Sequence, residues 1–262
     1  MKKLCLLALL AVSATLPLMA QSAFNGTWKA DLGSYQPPTK PDEYLLKDGM
    51  YECKTCVPPY KIKADGTDQP VKGHPYFDTV AIKVVDDHTI EETDKKAGKI
   101  VTTSKTVVSA NGNTSSWEFS DSSDSSGAPV TGNGQSTRVG KQPAGSHAIS
   151  GSWRTSKLEN MSDNGLQITY KVEGDTLSMS TQTGQSYTAK LDGTEARYNG
   201  DPGTTSVQVR SKGKNTIEEI DKRDGKVVSV AKMTVSDDGK TMHIDFQDKL
   251  HGTSSTITAT KQ

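Results

Sequence analysis

A duplicated segment limits this chain more than any other feature. Residues 60–121 align without a gap on residues 187–248, and about 24 of about 62 positions are identical. The densest match sets Thr89-Ile90-Glu91-Glu92-Thr93-Asp94-Lys95 against Thr216-Ile217-Glu218-Glu219-Ile220-Asp221-Lys222. Asp65-Gly66-Thr67 meets Asp192-Gly193-Thr194, and Gly73 and Pro75 meet Gly200 and Pro202. Upstream, Gly26-Thr27-Trp28-Lys29 returns as Gly151-Ser152-Trp153-Arg154. A chain copied in this way is expected to form two units of one architecture. We expect copy one over residues 24–139, a linker over 140–148 with Gly, Pro and Ser composition, and copy two over 149–262, each folding separately.

Each copy reads as all-β. Ser, Thr, Gly and Asn are abundant, aliphatic residues are sparse, and short runs alternate apolar and polar residues between turn signals. In copy two, Ile168, Tyr170 and Val172 share one face, Gly174-Asp175 turns the chain, and Leu177 and Met179 resume the face. Asp238-Gly239 marks a hairpin before Met242, Ile244 and Phe246. Copy one supplies Val80, Ile82 and Val84, and then Trp117 and Phe119 after Asn111-Gly112. A meander of this many strands with one apolar face has to curl and close to remove its edges. The expected fold is therefore two tandem antiparallel up-and-down barrels.

The Gly-x-Trp on the first strand and the meander ending in a basic strand resemble the lipocalins and the wider calycin superfamily. Each copy is similar to the lipocalin-like repeats of uncharacterised secreted bacterial proteins that open on Gly-Thr-Trp-Lys. The resemblance implies that a basic residue near the last strand covers the first-strand tryptophan, pairing Trp28 with Arg138 and Trp153 with Lys261 as structural plugs. It also implies binding of a small, often apolar molecule, and no reaction. The stretch from Pro37 to Pro59 is short and has few aromatics compared with the strands that line a larger lipocalin cup.

Lys2 and Lys3, the apolar run Leu4 to Leu16, Pro17 and the small residues Ala20, Ser22 and Ala23 give residues 1–23 the form of a secretory signal peptide. The expected location is therefore the periplasm or the exterior. Cys5 sits inside the apolar run, so no lipid anchor is read there. Basic and acidic residues balance at 31 each, without long runs of either sign. Nothing points to nucleic acid as a partner, and no later stretch is apolar enough for a transmembrane segment. A small molecule is the expected partner; protein partners are not indicated.

Cys53 and Cys56 are the remaining cysteine pair. In an oxidising compartment they are expected to form a local disulfide, and Ser180 and Thr183 align with them in copy two. The histidines at 74, 88, 147, 243 and 251 are scattered without metal-ligand spacing, so no metal or cofactor is expected. No Gly-x-Ser-x-Gly elbow or triad stands out, so no catalytic residue is nominated and an enzyme is not expected. One strand is unusual. Glu92 and Asp94 share a face with Ile90, and Glu219 and Asp221 share one with Ile217. Such pairs either line a binding cup, favouring a cationic or hydroxyl-rich ligand, or end at a wet rim beside Lys95 and Lys99. The expected function is small-molecule binding by an exported protein. The alternative is a non-catalytic structural or interaction protein of the cell envelope.

Overall fold

The structure, a computed structural model, describes residues 22–123 and 127–262. Apart from Ser22 and Ala23, the signal-peptide segment lies outside the described residues. A 3-10 turn at residues 22–24 leads into β1 (Gly26–Gln36). The chain then makes β2 (Asp42–Lys47), β3 (Met50–Cys53), β4 (Tyr60–Lys63), β5 (Gln69–Pro70), β6 (Thr79–Asp86) and β7 (Thr89–Lys96). β8 (Lys99–Val108), β9 (Thr114–Asp121) and β10 (Val130–Val139) complete copy one. Copy two opens with β11 (Gly151–Met161), β12 (Gln167–Glu173), β13 (Thr176–Thr181), β14 (Ser186–Lys190) and β15 (Asp192–Asn199). It ends with β16 (Ser206–Gly213), β17 (Thr216–Arg223), β18 (Lys226–Val235), β19 (Thr241–Asp248) and β20 (Thr253–Lys261). Two antiparallel ten-stranded sheets result, an all-β barrel-like architecture compatible with a calycin fold. No helix among the described residues is long and apolar enough to cross a membrane.

The hairpins follow from local chemistry. Asp48-Gly49, Ala97-Gly98 and Asp224-Gly225 all take positive φ at both residues, the two-residue turn whose twist matches that of its flanking strands. Asp and Gly tolerate this backbone; Ala97 holds it against its own preference.

The sheets do not follow the copies. One closed barrel runs β1-β12-β13-β14-β15-β16-β17-β18-β19-β20, so copy two is completed by the first strand of copy one. The other sheet runs β4-β3-β2-β11-β10-β9-β8-β7-β6-β5, so copy one is completed by the first strand of copy two. We call the sheet built from copy-one strands the first barrel and the other the second barrel. β1 sits between β12 and β20, with Trp28 opposite Ile168 and Lys261. β11 sits between β2 and β10, with Trp153 opposite Asp42 and Arg138. The chain passes between barrels at residues 37–41 and again at 162–166.

This exchange corrects the expected tryptophan pairs. Lys261 lies over Trp28, its Nζ 4.9 Å from the ring centroid, and Arg138 lies over Trp153 at 4.2 Å. The cause is the ladder itself, which makes Trp28 and Lys261, and Trp153 and Arg138, cross-strand partners. Each stack contributes about 0.5–2 kcal/mol. Both tryptophans are buried, and each indole donates to the carbonyl four residues back, Trp28 to Phe24 at 2.8 Å and Trp153 to Ile149 at 2.7 Å. The three guanidinium nitrogens of Arg138 donate to the carbonyls of Gly112, Ser150 and Ala148, which closes that end of the first barrel.

The first barrel is less completely laced than the second. Ser186 and Tyr187 pair with Asn199 and Tyr198 across β14 and β15. Pro59 stands where copy two has Ser186 and supplies no N–H, and no ladder joins β4 to β5. An isolated Asp65–Lys83 bridge ties the chain after β4 to β6, as Asp192 and Arg210 pair in the second barrel.

Candidate functional site

The interiors of the two barrels can be compared position by position through their ladders. On β8, Ser104 lies opposite Glu92 and Thr106 opposite Ile90; the matching residues of β18 are Ala231 and Met233. On β9, Ser115 and Trp117 occupy the places of Met242 and Ile244 on β19. On β10, Gly134 and Ser136 occupy the places of Ile257 and Ala259 on β20. The second barrel is filled: Met233, Met242, Leu177, Ile217 and Val209 are all buried in one apolar cluster with Trp28. In the first barrel, Ser, Thr and Gly stand where those methionines and Ile257 stand in the second.

A cavity of about 320 Å³ occupies that space. Its wall includes Tyr44, Tyr51, Tyr60, Glu92, Trp117 and Phe119. The glycines of β10 make room for the two large rings. A Cβ at Gly134 would come within 2.5 Å of the Trp117 ring, and one at Gly132 within 2.8 Å of Phe119. Tyr44 and Tyr51 stack with centroids 6.1 Å apart, and Tyr60 follows Tyr51 at 6.3 Å. A groove of about 840 Å³ shares Glu92, Ser104, Glu118 and Phe119 with the cavity and continues past Asn133 and Asn160.

Both carboxyl pairs face inward. Glu92 lines the cavity and accepts a hydrogen bond from the Tyr60 hydroxyl at 3.2 Å. Asp94 is 8% exposed, and its Oδ1 has no hydrogen-bond partner among the described residues. Lys95 points away and pairs with Asp68 at 2.6 Å, so it does not neutralise them. Burial, and then the charges of Glu92 and Asp121, push the Asp94 carboxyl up to about 8. Burial also raises Glu92, against the Tyr60 hydrogen bond. In the second barrel Glu219 is equally buried and accepts a hydrogen bond from Tyr187, and Ser229 donates to Asp221 at 2.6 Å. Burial and the neighbouring Asp221 push Glu219 up to about 8. Each pair thus holds a proton near neutrality, the usual outcome when adjacent carboxyls lack a cation. Burial comes first, and nearby carboxylates second, in raising the Tyr51 and Tyr60 hydroxyls far above the ordinary tyrosine range.

Cys53 and Cys56 form a disulfide with Cα atoms 5.5 Å apart, beside the cavity wall. Their register corrects the aligned positions in copy two. Cys53 lies opposite Tyr44 and Tyr60, and Met179 lies opposite Tyr170 and Tyr187, so Met179 replaces Cys53. One extra residue between β13 and β14 displaces the ungapped alignment there. The aromatic wall built by Tyr44, Tyr51, Tyr60, Trp117 and Phe119 was not singled out from sequence. Its signal is the pair Gly132 and Gly134, at alternate positions on one strand.

No protein-family model matches the chain, and no curated protein sequence matches it.

Proposed function

We propose that the first barrel is a binding module that takes a small molecule into its cavity without transforming it, and that the second barrel is its filled structural companion. One observation carries this: two copies with the same strand plan differ at the inward positions, and the difference empties only one of them. A cavity of a few hundred Å³ with apolar walls and a few polar groups is the usual form of a small-molecule site. The leader-like residues 1–23 and the Cys53–Cys56 disulfide support export to the periplasm or beyond, where disulfides persist. The filled second barrel favours a purely structural role for that half.

Native mass spectrometry of protein recovered from the exporting cell tests the reading, with Thr106→Met as the comparison. That substitution places in the first barrel the residue the second barrel carries at Met233. The expected result is a retained small mass on the natural chain that is absent from the variant. Identical spectra from the two, with no saturable binding across a small-molecule panel, would favour the envelope-structural reading for the whole chain.

A further inference from the structure

Among the described residues that line the cavity, the ionisable side chains are carboxyls and tyrosines, with no Lys, Arg or His. Glu92 faces directly into it, and Asp42 and Glu118 also line it. Behind Glu92 on the same inward face, and outside the cavity lining, Asp94 is buried with Oδ1 unpartnered, as is Asp221 Oδ1 in the second barrel, so the charge that meets the cavity is that of Glu92. The pair holds one proton and so keeps one negative charge, and a buried charge of that kind is costly without a positive charge beside it. The opposite wall carries aromatic rings, whose faces attract cations most strongly in a site away from water. The same molecule already places a cation over an indole at both barrel ends.

Taking the first barrel as a binding module, we propose that its ligand is an organic cation: a primary to quaternary ammonium on a small, partly apolar body. The ammonium sits against Glu92, with Asp94 behind it sharing the pair's charge, and the body lies among Tyr51, Tyr60, Trp117 and Phe119. A carboxylate or phosphate ligand would meet only negative charge there, and a fatty chain would leave the charge at Glu92 without a counter-charge. A neutral polyol could hydrogen-bond to Glu92 but would gain less from the ring faces than a cation does. The second barrel carries the equivalent Glu219 and Asp221, with Met233 and Met242 in the space a ligand would need.

Two pairs of isosteres separate charge from shape. Choline is compared with 3,3-dimethyl-1-butanol, and tyramine with 4-ethylphenol, by isothermal titration calorimetry on the full mature chain. The expected result is at least about tenfold tighter binding of each amine than of its neutral partner. Glu92→Gln and, separately, Asp94→Asn should remove that preference, read as the ratio of amine to isostere affinity within each variant. Thr106→Met should weaken all four compounds. Equal affinity of the amines and their isosteres for the natural chain overturns the cation proposal and leaves the binding module standing. The same holds if an amine preference survives both substitutions. No binding of any of the four at millimolar concentration overturns both. The natural chain alone decides the first comparison, so a variant that misfolds does not obscure it.

Discussion

The two barrels begin from one strand plan and diverge in what they enclose. In the second, Met233 and Met242 are fully packed, and each such side chain stabilises the fold by about 1.5–3 kcal/mol. The first has Thr106 and Ser115 at those positions and forgoes that contribution. It also lacks the short β14–β15 closure, because Pro59 stands where Ser186 pairs. What the first barrel has instead is the Cys53–Cys56 disulfide, where the second has Met179. Closing so short a loop is worth about 2 kcal/mol at most on the chain-entropy account. The comparison teaches that an interior can be opened by small substitutions on three adjacent strands, β8, β9 and β10, provided that stability is supplied elsewhere.

The sharpest way to break this comparison uses the tryptophans. Trp28 belongs to copy one by sequence and to the second barrel by structure. Trp28→Ala should cost about 3–5 kcal/mol, the usual range for a buried aromatic. Hydrogen exchange should show the lost protection on β12–β20 and not on β2–β10. Trp153→Ala should do the reverse. Protection lost within the copy that carries the mutation would mean that each copy keeps its own first strand.

A second test exchanges the fillings. Met233→Thr should destabilise the second barrel by about 2–3 kcal/mol, because it opens a void and buries a hydroxyl. Thr106→Met enters space that is already empty and should raise the stability of the first barrel by up to about 1 kcal/mol. Chemical denaturation of both variants measures this, and losses of equal size at the two positions would show that the first barrel is packed as tightly as the second.

The carboxyl pairs predict a shared response to pH. Asp94 and Glu219 titrate in the folded chain at about 8, above the value of about 4 expected when unfolded. Protonation therefore favours the folded state. The contribution is whole below about pH 4 and is lost as pH rises through about 8, at about 1.4 kcal/mol per pH unit for each pair. Urea midpoints measured across that range should fall with pH. Glu219→Gln should flatten the part of the slope that belongs to the second barrel. A slope that survives both Glu219→Gln and Asp94→Asn would place its origin in other groups.

The smallest effect concerns the matched turns. Ala97 has φ of 50°, and its counterpart Asp224 has φ of 51°. Ala97→Asn should stabilise the β7–β8 hairpin by about 0.5–1 kcal/mol, and Asp224→Asn should change little. A thermal scan of the two variants checks the difference.

The all-β architecture, the hairpins at Gly174 and Gly239, the disulfide and the shared face of Glu92 and Asp94 with Ile90 could all be read from residue order, because each is set by near neighbours or by strand alternation. The inward aim of the carboxyls could not be separated from a wet rim, since alternation gives a face but not a depth. The exchange of β1 and β11 left no trace for a physical reason. Gly26-Thr27-Trp28-Lys29 and Gly151-Ser152-Trp153-Arg154 fit the same slot, and nothing local says which slot each one takes. The hollow of the first barrel was obscured differently. Thr106, Ser115 and Gly134 are ordinary strand residues until the ladders show that they meet across one interior.

Because each barrel holds one strand from the other copy, the link between them does not depend on the peptide that joins them. Cleavage within residues 140–147 would yield two fragments, each with a strand built into the other's sheet. They would part only if both barrels opened. In oligomer terms, the chain is a reciprocal strand-exchanged dimer whose two subunits happen to be fused. A gene carrying one copy and keeping the same geometry would have to find a second molecule to complete itself. Fusion turns that encounter into an intramolecular one, and so frees assembly from protein concentration.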